Sequence, residues 1–314
     1  MANQIDISFI DYLSAKKSID NCALNMHVLE SLKMEVLKYP AFKPIKVLEV
    51  GAGIGTMIER LVDKEVFTNV EYTAIDSQAD NILHAKSRLK KWANSKGYET
   101  KNSRPEYFKF ISGELSISIH FECVDFYEFS DSMVHKKKWD LIIAHAFLDL
   151  VHLPAALPAL FRLLKQNGLF YFSLNFDGVT ILEPVIDPEL DQRILKLYHQ
   201  SMDNRLINGK PAGSSQTGRL LFSHFKDCGA VILDAGASDW IVFPHYGKYT
   251  KDEICFLHFI IQTIDKELKD HPHLDSKQLF DWTNERRTQI SHAELVYIAH
   301  QIDFLGKFVE TNCS

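Results

Sequence analysis

The chain has 314 residues, of which 46% are hydrophobic and 24% charged, and a formal net charge of −6. That length can bury a large core, as one big domain or a domain plus a subdomain, and the composition is ordinary for a soluble globular protein. The acidic balance disfavours a nucleic-acid partner, because phosphate binding needs a positive face, and Lys136-Lys137-Lys138 and Arg286-Arg287 read as solvated surface charge.

The chain opens with MANQIDISFIDYL, which lacks a basic stretch followed by an apolar run and so does not read as a signal peptide. Residues 5–39 predict two helices, with Ala23, Met26, Leu29, Leu32 and Val36 near helical spacing, so 1–43 form an N-terminal helical cap. Pro40 and Pro44 then punctuate the chain. From residue 44 a strand–helix alternation begins, the pattern of a parallel sheet covered on both faces. Strands are predicted at Ile45–Val50, Val70–Ile75, Ile119–Val124, Trp139–Ala144 and Leu169–Leu174, with helices at Thr56–Asp63, Ala79–Lys96 and Leu153–Lys165. Gly168 after Asn167 predicts a helix C-cap. A segment at about 176–216 interrupts the alternation, before a helix at Thr217–Cys228 and a strand at Ala230–Asp234. Two more helices fall within 250–290, and Leu295–Ala299 reads as a last strand or part of a third helix. Insertions after a sheet's carboxyl ends are where such folds build substrate lids.

The longest apolar region, Leu141–Phe161, is broken by Asp149, His152, Pro154 and Pro158 and is too interrupted to span a bilayer. Five scattered cysteines, Cys22, Cys123, Cys228, Cys255 and Cys313, lack a CxxC spacing and fit a reducing cytoplasm rather than a disulfide framework. A cytoplasmic protein without a membrane partner is expected.

Chemistry concentrates at the strand tips. The first strand ends in Gly51-Ala52-Gly53-Ile54-Gly55, and Thr56 opens a helix. The glycines let the backbone turn sharply and approach a ligand where a Cβ would collide. The dinucleotide fingerprint needs glycine where Thr56 stands, and no G-K-[ST] of a phosphate loop is present, so a pyrophosphate site is disfavoured. Glu49 inside the strand either orients a positively charged ligand or is a satisfied buried acid that shapes the loop. Asp76 ends the second strand, 25 positions beyond Gly51, where an acid can accept from both hydroxyls of a ribose. Asp125 and Phe126 end the third strand, where an acid can accept from an adenine amino group.

E-V-G-A-G-I-G-T, A-I-D-S and V-D-F, in this order on successive strands, resemble the first three motifs of class I, Rossmann-like, S-adenosylmethionine-dependent methyltransferases over about residues 45–175. The resemblance implies an α/β, three-layer fold with a seven-stranded, mostly parallel sheet of order 3-2-1-4-5-7-6. It implies S-adenosylmethionine as cofactor and S-adenosylhomocysteine as product. The cofactor contacts it implies fall on Glu49, Gly51, Ala52, Gly53, Gly55, Asp76, Ser77, Asp125, Phe126 and His145. The layout beyond residue 175 also resembles an uncharacterised bacterial group within the class, through Asp177-Gly178, His199-Gln200 and Ser238-Asp239-Trp240.

The acceptor side follows the fourth strand. Neither an N/D-P-P-Y-like motif nor Pro-Cys occurs there, and A-H-A-F-L-D-L looks like the variable fourth motif of small-molecule methyltransferases. Methyl transfer asks mainly for alignment, and for a base only where the acceptor must lose a proton. His145 is either that base or a cofactor-packing residue, and Asp149 either faces the cleft or braces the loop. His152 before Pro154 suits a helix cap. By strand alternation Ser173, Asn175 and Asp177 point together. Asn175, Asp177, His199 and Trp240 are the substrate-side candidates, with Tyr198, Gln200, Asp203 and Arg205 as further lid residues. His271-Pro272-His273 lacks a third ligand, so no metal is expected. The reading is methyl transfer to a small-molecule acceptor with a nitrogen or oxygen nucleophile. The alternatives are an aminopropyl-type transferase on the same fold and a non-catalytic S-adenosylmethionine-binding protein.

Overall fold

A computed structural model describes residues 6–104, 106–133, 138–207 and 209–309. Lys136, Lys137 and Cys313 lie outside the described residues. In chain order the elements are α1 (Phe9–Ala23), α2 (Met26–Val36), β1 (Ile45–Val50), α3 (Thr56–Asp63), β2 (Asn69–Asp76), α4 (Ala79–Ser95), β3 (Glu99–Arg104), β4 (Tyr107–Ser112), β5 (Leu115–Cys123), α5 (Phe126–Met133) and β6 (Trp139–His145). A single 3-10 turn (Leu148–Leu150) leads to α6 (Leu153–Leu163), β7 (Leu164–Glu183), α7 (Pro188–Asp203), β8 (Leu206–Ile207), β9 (Lys210–Pro211), α8 (Thr217–Asp227), β10 (Ala230–Ala237), β11 (Trp240–Val242), α9 (Lys251–Leu268), α10 (Ser276–Ser291) and β12 (Val296–Phe308).

Strands buried on both faces read as continuous apolar runs, and β1 (IKVLEV) and β6 (WDLIIAH) are of this kind. They lie side by side at the centre of the sheet, whose order is β10-β12-β7-β6-β1-β2-β5-β4-β3. The five strands from β7 to β5 pair in parallel, and β12 runs antiparallel to both β7 and β10. Counting β1, β2, β5, β6, β7, β10 and β12 as the core, their order is 3-2-1-4-5-7-6. The sheet has ten strands rather than the expected seven, because the antiparallel hairpin β3–β4 extends one edge and β11 adds to β12.

Helices α2, α3 and α4 cover one face and α5, α6 and α8 the other, each over its own apolar cluster. A third cluster joins α1, α7, α9 and α10 to the extended ends of β7 and β12. Three expectations are corrected here. The fifth strand continues to Glu183, so the chain leaves the sheet there rather than near 176, and Asp177-Gly178 lies inside β7 instead of forming a turn after it. Gly168 is no helix cap, since α6 ends at Leu163 and β7 has begun. Arg286 is not solvated surface charge: it is fully buried, with Nη2 2.8 Å from Asp191 Oδ1.

Long strands keep register only if their irregularities are accommodated, and the pairing of β7 with β12 shifts register twice. Leu174 adopts a left-handed φ of 55° where the pairing slips between Phe172↔Phe304 and Asn175↔Ile302. Asp303 Oδ1 accepts the Leu174 N–H at 2.7 Å, and its other oxygen accepts the Asn25 N–H at 2.9 Å. One buried carboxyl thus ties the bulge to the α1–α2 junction. Among the described residues no helix is long and apolar enough to cross a membrane.

Candidate functional site

At the tip of β1 the loop runs through three glycines in the left-handed region, with φ of +64° at Gly51, +53° at Gly53 and +77° at Gly55. At Gly51 two constraints coincide. The backbone conformation disfavours side chains, and a Cβ there would stand 2.6 Å from the Phe147 ring. Asp76, at the tip of β2, holds the loop: Oδ2 accepts the Gly53 N–H at 2.9 Å, while Oδ1 accepts from Gln78 N–H (2.8 Å) and Asn81 Nδ2 (3.1 Å). The Ala52 N–H donates to the Ile75 carbonyl at 2.9 Å, and Gly55 stands at the N-cap of α3.

Ser77 is exposed beside this tip. Asp125, also exposed, starts α5 by accepting the N–H groups of Tyr127 (2.8 Å) and Glu128 (3.3 Å) on Oδ1. Phe126 is buried and meets Phe147 edge-on at 5.8 Å between centroids. Phe147 therefore links the tips of β1, β5 and β6. Glu49 is 1% exposed and accepts the Tyr72 hydroxyl at 2.8 Å. Burial pushes its carboxyl up to about 8, so at neutral pH it is a protonated, hydrogen-bonded acid inside the strand.

The tip of β6 is wired to the first helix. His145 Nε2 lies 3.0 Å from Asp20 Oδ2, and His145 Nδ1 lies 2.8 Å from Ser173 Oγ. Asp20, 2% exposed, also accepts Lys16 Nζ on both oxygens (2.9 and 2.7 Å) and Trp240 Nε1 on Oδ1 (2.9 Å). Burial pushes the Asp20 carboxyl up, but Lys16, the His145 hydrogen bond and the Arg60 guanidinium outweigh it and hold the group well below the usual carboxylate range. His145 responds oppositely: burial pushes it down to about 4, against the upward pull of Asp20. The imidazole is therefore neutral at physiological pH, and the contact is an N–H···O hydrogen bond rather than an ion pair. An ionised Asp20 only accepts, which assigns the ring proton to Nε2 and leaves Nδ1 to accept from Ser173. Both ring nitrogens are engaged.

Asp149 follows on the 3-10 turn. Its Oδ1 is buried and has no hydrogen-bond partner. Burial raises its pKa, moderated first by its own backbone N–H and then by Lys16 and Arg205 at a distance. The loop at Gly213 closes over it so tightly that a Cβ there would be 2.8 Å from the Asp149 carbonyl oxygen.

The other substrate-side candidates separate. The left-handed Leu174 breaks the alternation between Ser173 and Asn175, so the three do not follow one uninterrupted face. Asn175 Nδ2 donates to the carbonyls of Phe172 (3.0 Å) and Ile302 (2.8 Å). Asp177 Oδ1 accepts from Arg219 N–H (2.7 Å) and Nε (2.9 Å), anchoring the start of α8. His199 Nε2 lies 3.0 Å from Thr180 Oγ1, and burial lowers its pKa against the pull of Asp203. Asp203 receives Ser215 N–H at 2.7 Å, and Gln200 is exposed. Trp240 opens β11 and reaches the His145 network through Asp20. His152 occupies the N-cap of α6 without a side-chain cap bond. His271 and His273 stand 5.7 Å apart, and among the described residues no three His, Cys, Asp or Glu side chains are placed to hold a metal ion.

Sequence reasoning missed Asp20, Lys16 and Arg60, and it left Phe147 within A-H-A-F-L-D-L without a role. A signal existed: Tyr12, Ala15, Lys16, Ile19, Asp20 and Ala23 form the buried stripe of α1, and two opposite charges on an apolar helix face mark an internal polar site.

A family model described as a methyltransferase domain matches residues 23–212. No curated protein sequence matches the chain. Among solved structures, the mycolic acid cyclopropane synthase CmaA1, complexed with SAH and CTAB, is 13% identical with a TM-score of 0.45, covering 88% of this chain and 82% of its own. A SAM-dependent methyltransferase from Methanosarcina mazei is 11% identical with a TM-score of 0.44, covering 86% and 98%. A geranyl diphosphate methyltransferase in complex with SAM is 8% identical with a TM-score of 0.43, covering 90% and 84%.

Proposed function

The chain belongs to the methyltransferase-domain family, and on that premise we propose that it transfers the methyl group of S-adenosylmethionine to a small-molecule acceptor through a nitrogen or oxygen nucleophile. The observation that carries this reading is the pairing of the glycine loop at β1 with Asp76 at the tip of β2. Positive φ at three glycines opens backbone to a ligand, and no lysine or fourth glycine completes a polyphosphate cradle.

The residues present fit this cofactor. Asp76 already accepts three donors, which leaves one of a carboxylate's about four acceptor positions for a ribose hydroxyl. Gly51, Ala52, Gly53 and Gly55 offer backbone to the amino-acid portion. Asp125 spends only Oδ1 on its helix, so Oδ2 is free to take an adenine amino group beside Phe126 and Ser77. Bound there, the cofactor supplies a methyl group already activated on a sulfonium.

The chain's own residues then align the acceptor and exclude water, effects worth up to about 7–11 kcal/mol. Helix α1 lies over the loop, with Leu13 Cδ1 3.7 Å from where a Gly53 Cβ would stand. His145 keeps α1 docked through Asp20 and acts as a positioning residue, since neither ring nitrogen is open to an acceptor. Asp149, with an unpartnered oxygen, is the proton acceptor of the site. Its elevated proton affinity brings it nearer the working pH.

Titration calorimetry with S-adenosylhomocysteine tests the reading. Wild type binds, and Asp76→Ala weakens binding by roughly 10- to 100-fold, the worth of hydrogen bonds to a charged group. Absence of binding in the wild type, or equal affinity in the variant, would overturn it.

A further inference from the structure

We propose that two copies of this chain associate through the outer face of the three-stranded end of the sheet, where β7 and β11 flank β12. The inference goes beyond the methyl-transfer reading and does not depend on it.

A sheet with one face in water alternates apolar and polar residues, whereas a strand covered on both faces reads as a continuous apolar run. These three strands contain runs of the second kind: VTIL over 179–182, VYIA over 296–299 and WIVF over 240–243. Only one of their faces is covered. Leu182, Tyr297, Ala299 and Val242 are buried and belong to the cluster with α7, α9 and α10. On the opposite face Ile181 pairs with Ile298, and Ile298 with Ile241, so three isoleucines stand in one row across three strands. Ile181 is 40% exposed and Ile241 54%, and Val179 and Phe243, equally accessible, flank the row at opposite ends. Apolar residues scattered singly on a surface need no partner, but a contiguous apolar patch marks an interaction site.

The charges around the row decide the occupant. At one end Glu183 stands on the β7 side, paired with Val296, and the exposed Lys248 follows Phe243 on the β11 side in a tight turn bridged to His245. At the other end the signs exchange sides. Arg219, half-exposed on its bond to Asp177, lies on the β7 side, and Asp239, 2.7 Å from His300 Nδ1, lies on the β11 side. A two-fold axis parallel to the strands lays β7 of one copy over β11 of the other, an arrangement in which stacked sheets keep their strands nearly aligned. Glu183 then faces Lys248 of the second copy, and Arg219 faces Asp239 of the second copy, each pair formed twice. Tyr246, wholly exposed in the same turn as Lys248, adds an aromatic side chain of the kind that interfaces gather. An anionic membrane surface suits the face poorly, because Glu183, Asp177 and Asp239 border it and the chain carries a net charge of −6.

The experiment is sedimentation velocity on the full chain, from about 1 to about 100 μM. We expect wild type to sediment as a dimer at the upper end of that range. Ile241→Asp puts a charge into the row and should weaken association by at least about 30-fold. Lys248→Glu should weaken it by roughly three- to tenfold, and adding Glu183→Lys should restore it, which a merely structural role of either residue would not do. Ile241 and Lys248 are both exposed, so neither substitution empties the core, and circular dichroism spectra matching wild type verify the fold. Wild type that stays monomeric at the highest concentration, Ile241→Asp that associates as wild type does, or a charge exchange without recovery overturns the proposal.

Discussion

Asp20 Oδ2 lies 3.0 Å from His145 Nε2, joining the first helix to the tip of β6 across 125 positions of sequence. The contact fixes the imidazole tautomer and places a carboxylate among Lys16, Trp240 and Arg60. Because burial depresses His145 to about 4, charging the ring opposes folding. The stability this group supplies is complete above its unfolded value near 6.5 and is lost as pH falls towards 4, by up to roughly 3 kcal/mol. Denaturant unfolding from pH 7 to 4 should show that loss in the wild type and a flatter profile in His145→Asn. In Asp20→Asn the ring loses its upward pull, and an NMR titration should find His145 lower still.

Gly51→Ala meets both a positive φ and the Phe147 ring. Strain of about 1–3 kcal/mol is expected, with S-adenosylhomocysteine affinity reduced in step. Adding Phe147→Ala relieves the clash but not the backbone strain, so the double variant should recover only part of the loss. Full recovery would place the whole effect on the ring.

Glu49 titrates in the opposite sense to His145. Its folded value of about 8 lies above an unfolded value near 4.3, so its contribution is complete below the latter and disappears as pH rises through about 8. Glu49→Gln keeps an acceptor for the Tyr72 hydroxyl and removes the ionisation. Unfolding measured at pH 6 and 8.5 should show the variant gaining about 1–3 kcal/mol on wild type at the higher pH.

Arg286 is fully buried on α10 and reaches Asp191 on α7 and the carbonyl of Pro184, where the chain leaves β7. Removing one partner of a buried pair leaves the other uncompensated. Arg286→Ala should therefore cost about 3–5 kcal/mol in thermal or denaturant unfolding. A double replacement, Arg286→Met with Asp191→Leu, should cost less.

The central sheet and the glycine loop were legible in the sequence because each depends on local signals. Apolar runs of β1 and β6, glycines at Gly51 and Gly53, and acids at Asp76 and Asp125 follow one another within single βα units. The hairpin β3–β4 was not, since ETKNSR carries no apolar alternation and is placed by pairing with β4. Strand β7 was cut short at Leu174 because Asp177-Gly178 has the chemistry of a turn, while pairing with β12 carries the strand through it. The polar centre at Asp20 depends on α1, β6, β7 and β11 meeting in space, and no local window contains that. The engagement of Asn175 with the Phe172 and Ile302 carbonyls, and of Asp177 with Arg219, likewise depends on strands and helices distant in sequence.

The most direct test of the account supplies trideuteromethyl S-adenosylmethionine with a small-molecule extract and follows the label by mass spectrometry. The account predicts that wild type moves the label onto a small molecule, and that Asp76→Ala and Asp149→Asn do so far more slowly. A protein that binds the labelled cofactor tightly yet transfers no label to any small molecule would contradict it.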